Sequence, residues 1–214
     1  MATWADLLAD IRLDLQDTSE NPKYSDKTLY LYAKDAIRDY STWFPKRNDH
    51  LELSPDNGTY PLPIDYIEDI HVECPADTFL EKRYEQPGIT YRKTSRPSYY
   101  YVHGGNLYLS SPTTNPVYLT YLGTHPVPAS EADGTFALTI PEADLELIRL
   151  YVKSKTLGQL RGRQAALDRF KVTGKRDDNP LMPETDDLMS MYRSAVAQRV
   201  RGGIILLHRI GRGA

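Results

Sequence analysis

One cysteine, Cys74, is all that the 214 residues hold. An internal disulfide framework is thereby excluded. The usage fits a reducing compartment, with Cys74 as a small buried residue. There is also no run of about 18 apolar residues, the length a helix needs to cross a bilayer. The opening Met1-Ala-Thr-Trp-Ala-Asp6 lacks the charged-then-apolar layout of a secretory leader, so the expected site of synthesis is the cytosol. Catalytic spacing is missing too. The histidines at 50, 71, 103, 125 and 208 form no H-x-H, H-x-x-x-H or H-E-x-x-H pattern, and one cysteine completes no zinc set. Neither G-x-S-x-G nor a Walker A loop occurs, and Gly104-Gly105 reads as a hairpin turn rather than a phosphate cradle. Three acidic pairs, Glu68/Asp69, Asp177/Asp178 and Asp186/Asp187, have the residue types for acid–base work. The last of them opens a helix, where carboxylates answer the dipole. These gaps lead to the expectation of no enzyme activity, no cofactor and no metal.

A strong net charge is a further absence, since the formal balance is only -3. It is unevenly placed. Residues 1–49 carry 7 basic and 9 acidic groups, 50–128 carry 5 and 9, and 129–214 carry 14 and 11. Ten of the 16 tyrosines lie between 60 and 121, and aromatic faces stack on bases. That region is nevertheless acidic, whereas backbone binding to nucleic acid needs clustered Lys and Arg. Strand-forming core or interface tyrosines are the better reading. The cluster Arg161, Arg163, Arg169, Lys171, Lys175, Arg176 reads as a solvated helix face, or one that meets an acidic rim on a partner.

What is present is a pattern that changes period twice. Trp4, Leu7, Leu8, Ile11 and Leu15 recur at helical spacing behind a Thr3 cap. After Asn21-Pro22, Ser25 caps a second helix to about Trp43, with Tyr24 and Leu29 at the staple positions and Phe44-Pro45 ending it. From His50 strands take over. Pro55-Asp-Asn-Gly58 marks a turn, 65–73 reads as a half-buried strand, and 98–110 is a hairpin turning at Gly104-Gly105-Asn106 with Val117–Leu122 beside it. Helix returns at Thr139-Ile-Pro-Glu142, which has capping-box spacing with proline just inside, and continues through Leu145, Ile148, Tyr151, Val152 and Leu157. Gly162 should break it, with a fourth helix at 163–172 and a charged loop from Lys175 to Pro183. A fifth helix from Thr185 carries Leu188, Met191, Tyr192, Ala195 and Val196 until Gly202-Gly203 stops it. The expected fold class is α+β: a helical bundle formed by both chain ends, an inserted small antiparallel β-barrel or sandwich, and an extended C-terminal arm. The boundaries so predicted are 1–48 and 139–201 for the helical parts, 49–138 for the β domain, and 202–214 for the arm.

The arm itself, Gly202-Gly-Ile-Ile-Leu-Leu-His-Arg-Ile210 and onward, holds five large apolar residues between arginines with no acid. Exposed in water, Ile204–Leu207 would be a strand-prone hazard. Such a segment either folds back as a last strand on its own core or adds itself to another protein. The glycine pair and the basic flanks favour the second.

Taken together, the order of Trp4-x-x-Leu7-Leu8-x-x-Ile11-x-x-x-Leu15, Tyr24-Ser25-Asp26, Leu29 to Tyr40, Phe44-Pro45, Tyr60-Pro-Leu-Pro63, Gly105-Asn-Leu-Tyr-Leu109, Tyr118 to Leu122 and Ile140-Pro-Glu142 resembles the head-to-tail adaptor (connector) proteins of tailed bacteriophages. That group includes the tail tubular protein A of short-tailed phages. The resemblance implies a non-enzymatic structural protein of the virion, made in the host cytoplasm and placed at the head–tail junction. It implies a ring of self-associated subunits, a dodecamer, beneath the portal protein. The ring would prolong a channel through which DNA passes without sequence-specific binding, and would offer a surface to a tail or nozzle protein, with no membrane involved. Family members reach the portal with a C-terminal segment. Carried over by position, the portal-binding residues are Gly202, Gly203, Ile204, Ile205, Leu206, Leu207, Arg209, Ile210 and Arg212. A competing reading takes the Tyr-rich strands as a β binding module for glycan or a host surface.

Overall fold

Two amphipathic segments open the chain, and the computed structural model forms both as helices, α1 (Trp4–Asp14) and α2 (Asp26–Trp43). It describes residues 2–20, 22–56, 58–84, 96–168 and 181–210, with the backbone alone at 160–168, 181–186 and 202–210. Thr3 caps α1 reciprocally: its hydroxyl accepts the Asp6 N–H at 3.3 Å while the Asp6 carboxylate accepts the Thr3 N–H at 2.9 Å. Trp4, Leu7 and Ile11 are buried beneath the cap. Ser25 accepts the Thr28 N–H at the start of α2, where Leu29, Ala33, Ala36, Ile37 and Tyr40 share the buried face. Between the two helices, buried Asp17 accepts N–H groups from Lys23 and Tyr24 and pairs with Arg12, so the connection has a fixed polar centre.

The chain divides into two compact units, one taking residues 1–44 and 125–214 and the other Pro45–Thr124. In the first, α3 (Leu145–Asp168) packs against α1, α2 and α4 (Leu181–Ile210). Its buried set includes Trp4, Leu29, Ile37, Leu147, Ile148, Val152 and Tyr192. Where the periodicity placed the strand-rich stretch at 49–138, the compact unit ends at Thr124. Residues beyond it lie with the helices: Phe136 O accepts the Trp4 N–H, Pro128 O accepts the Tyr30 hydroxyl, and Leu138 is buried among the helical side chains.

The second unit holds two sheets around one apolar core. In the first sheet β1 (Lys46–Leu53) and β3 (Tyr66–Glu73) flank β7 (Val117–Gly123), all antiparallel. The second orders β2 (Tyr60–Pro61), β6 (Asn106–Leu109), β5 (Tyr99–His103) and β4 (Glu81–Lys82), with β4 parallel to β5. Gly104 and Gly105 turn the β5–β6 hairpin with positive φ, which glycine adopts without a steric penalty.

Several sequence expectations are corrected. Of the expected antiparallel barrel or sandwich, the closed barrel is not found among the described residues: there are two open sheets, the first antiparallel and the second mixed through the parallel β4–β5 pair. Their edge strands β2 and β4 are two residues long, and Pro61 lacks the N–H that a continued ladder needs. Val117–Leu122 does not lie beside the hairpin but is the centre of the other sheet, where Leu119 is buried in the core of the unit. The Thr139–Glu142 capping box does not form. The Thr139 hydroxyl pairs with His125 Nδ1 at 2.8 Å, and a 3-10 turn, Glu142–Asp144, leads into α3. Gly162 does not break α3, which runs to Asp168; the rest of the expected fourth helix and most of the 175–183 loop fall outside the described residues. α4 starts at Leu181, tolerating Pro183 in its first turn, and Met191 on it is exposed. Nor is 202–214 an extended arm as far as it is described. α4 continues through Gly202-Gly203 to Ile210, since each glycine costs a helix only about 1 kcal/mol against alanine and the flanking Leu and Arg are good helix formers.

Candidate functional site

The residues expected to carry binding lie at the C-terminal end of α4. Gly202, Gly203, Ile204, Ile205, Leu206, Leu207, Arg209 and Ile210 are consecutive turns of that helix by backbone, and Arg212 falls outside the described residues. Just before them α4 is tied to the rest of its unit. Arg199 donates through Nη1 to Asp144 Oδ1 and through Nη2 to Ala143 O at 2.8 Å. The other oxygen of Asp144 accepts the Tyr40 hydroxyl at 2.5 Å. One carboxylate thus joins α2, the entry to α3, and α4. Burial pushes the Tyr40 phenol above its ordinary pKa, and the hydrogen bond to Asp144 adds to the shift. About two turns earlier, Tyr192 donates to Asp39 and meets Tyr151 edge-on, with ring centroids 5.4 Å apart. Burial and Asp39 raise Tyr192 likewise.

Around this pair α2, α3 and α4 leave a groove of about 540 Å³. Its floor is apolar, with Tyr151, Met189, Tyr192 and Val196. Exposed Lys155, Arg193 and Arg201 stand along its rim, and Lys155 lies over the Tyr151 ring. Sequence reading missed the groove and the Asp144 tie. The first residues of a helix are a place where an acid is expected on dipole grounds alone, so Asp144 gave no sign of its two distant partners.

In the strand unit, the polar centre is Asp69. Its oxygens accept Tyr100 and Tyr66 hydroxyls, each at 2.5 Å, and Lys82 Nζ at 2.9 Å. Burial would raise this carboxyl, but the three donors outweigh it and hold the group below its usual range. Burial, then the hydrogen bond to Asp69, raises both phenols. Every polar group here is matched to a partner, which is the arrangement of a core fastener. The other member of the sequence pair, Glu68, is exposed, so the two do not converge on one point. Asp177/Asp178 fall outside the described residues, and of Asp186/Asp187 only the exposed Asp187 side chain is described. The basic cluster 161–176 has no described side chains.

Glu73 accepts from His71 Nε2 at 3.2 Å and from the Asp77 N–H at 2.7 Å, while His50 Nδ1 stands 3.6 Å away. His50 in turn stacks on Tyr118. Of the described tyrosines of this unit, Tyr60, Tyr99, Tyr100 and Tyr121 are buried, Tyr66, Tyr101, Tyr108 and Tyr118 are half-buried, and Tyr84 is exposed; Tyr101 stacks on Tyr108 across the hairpin. The four buried rings cannot serve as a stacking platform for sugars. No described helix is long and apolar enough to cross a membrane.

A protein-family model described as SU10 adaptor protein matches residues 2–194. No curated protein matches the chain. The family match covers both units and ends before Gly202.

Proposed function

The chain belongs to the SU10 adaptor protein family of bacteriophage head-to-tail adaptors, and from that membership we propose that it forms a ring under the portal protein. The family is structural and places the protein in the virion at the head–tail junction. Its adaptor role carries the reading, because the match runs over nearly the whole chain. In our reading twelve copies close the ring, prolong the DNA channel without reading its sequence, and present a surface to the tail or nozzle protein. The protein does this by shape and attachment and turns over no substrate. Subunits are made in the host cytoplasm before they assemble.

Attachment to the portal we assign to Gly202, Gly203, Ile204, Ile205, Leu206, Leu207, Arg209, Ile210 and Arg212. Support comes from their character and from the continuity of α4: an apolar segment carrying arginine forms the last turns of a helix held by Arg199. An amphipathic helix laid into a groove is a familiar way for such a segment to bind. Buried apolar anchors contribute about 1.5–3 kcal/mol each before ordering costs. A chain ending at Arg201 is therefore expected to keep its thermal midpoint within a few degrees and to lose stable co-sedimentation with purified portal rings. Leu206→Asp should weaken co-sedimentation more than Arg212→Ala, since a buried unpaired carboxylate costs more than a lost rim charge. If the shortened chain unfolds yet still binds, residues 202–210 belong to the subunit's own core and the assignment fails.

A further inference from the structure

Two surfaces of the helical unit are opposite in charge, one with an exposed apolar side chain and the other with an apolar groove. On α1, Asp6, Asp10 and Leu13 fall at i, i+4 and i+7 and so share one outward face. Leu13 is 67% exposed there, and the Asp10 side chain is half exposed, with Arg149 only at 3.5 Å. That face is an apolar knob flanked by carboxylates. The groove against α4 is the converse. Trp43 at its edge is 55% exposed, Val196 lies on its floor, and Lys155, Arg193 and Arg201 supply three cations. The one acid on its lining, Asp39, is occupied by the Tyr192 hydroxyl. α1 and α4 both pack on α3, the element between the two surfaces.

We propose that the α1 face of one subunit docks in the α2–α3–α4 groove of a second copy of this chain, with Leu13 entering beside Trp43 and Val196 and Asp10 meeting Arg193 and Lys155. The inference rests on the ring reading above and names the two faces that would build it. Because the faces differ, the contact is heterologous: each copy keeps one knob and one groove to offer, and repetition closes a ring when the rotation per copy allows. Opposite charge at the rim sets the register and rejects knob-to-knob pairing, in which Asp6 and Asp10 would oppose their own kind.

The test uses full-length protein incorporated in purified phage particles. Leu13→Cys and Trp43→Cys together, treated with a short bismaleimide, should give a ladder of dimers and higher multimers on a denaturing gel. Either substitution alone should give monomer, because Cys74 is buried and neither face meets itself. Asp10→Lys and Arg193→Glu should each lower the yield of adaptor-bearing particles about tenfold, and the two combined should recover most of it. Both pairs sit on the surface, so unchanged thermal midpoints will show the variants folded. A monomer band from the double cysteine protein, or dimers from a single one, overturns the proposed faces. Copy number separates the two levels of the argument. Particles holding many adaptors per portal without the ladder leave the ring standing and sink only this pairing, whereas one adaptor per portal sinks the ring itself.

Discussion

Asp144 and Asp69 do similar work in different units: Asp144 joins the Tyr40 hydroxyl and the Arg199 cation, and Asp69 joins the Tyr66 and Tyr100 hydroxyls and the Lys82 cation, each on one carboxylate. Removing such an acceptor leaves a buried phenol and a half-buried cation without it, which costs more than removing one donor. Asp144→Ala should therefore lower stability by about 2–3 kcal/mol and Tyr40→Phe by about 1 kcal/mol in urea unfolding. Equal effects would mean that Arg199 gains nothing from Asp144. The pH dependence has two limbs. Asp69 is held below its ordinary pKa, so its contribution is complete above about pH 4 and is lost as pH falls through the lower folded value. Tyr100 and Tyr66 are raised, so theirs is complete below about pH 10 and is lost as pH rises further. Tyr121, pushed up to about 12 by burial and then by its bond to Asp65, adds to the alkaline limb. Urea midpoints should be level from about pH 5 to 9, with Asp69→Asn flattening the acid limb and Tyr100→Phe softening the alkaline one. At this scale the local devices were legible. The caps at Thr3 and Ser25 act within three residues, but the Asp144 tie spans 104 residues to Tyr40 and 55 to Arg199, and no local pattern encodes it.

Among elements, the two early helices, the hairpin and the strand at 66–73 could all be read from period and caps. Glycine misled at the other end of the chain. Gly162 and the Gly202-Gly203 pair were read as stops, yet a stop needs a residue in the left-handed conformation or a competing cap, and a helix-forming neighbourhood on both sides supplies neither. Thr139 misled for another reason: its hydroxyl had a second suitor in His125, whose Nε2 donates to Phe44 O and whose Nδ1 takes the Thr139 proton in the neutral ring. The helical course through 202–203 makes a prediction that a hinge would reverse. Gly203→Ala should raise helicity by circular dichroism and leave portal co-sedimentation equal or tighter, because alanine favours a helix by about 1 kcal/mol. Gly203→Pro should reduce both. A hinge would lose binding when stiffened by alanine.

For the whole molecule, the change of period was legible as a strand-rich stretch between helical ends, while its limits and sheet order were not. Pairing of β1 with β7 depends on residues some 70 positions apart, which alternation alone cannot match; His50 N–H and the Thr120 hydroxyl meet across that separation. That same pairing says how separable the units are. The strand unit is entered at β1 and left at β7, and Lys46 pairs with Gly123, so its two ends are ladder neighbours. Close termini let a unit be removed with little loop-closure cost. The helical unit keeps its own fastening at the cut, since the His125 N–H donates to Ser41 Oγ at 3.0 Å and His125 Nε2 to Phe44 O at 3.0 Å. A chain in which a glycine-rich linker of about four residues replaces 45–124 should then retain a cooperative, helical thermal transition. Residues 45–124 alone, with Leu53, Val72, Tyr100, Leu107 and Leu119 as their core, should fold as a strand-rich protein. Because the assigned attachment residues lie at the end of α4, the linker-bearing helical protein should also co-sediment with portal rings, and the isolated strand unit should not. Loss of the helical transition would show that the strand unit holds the helices together. Binding by the strand unit would move the portal contact away from α4 altogether.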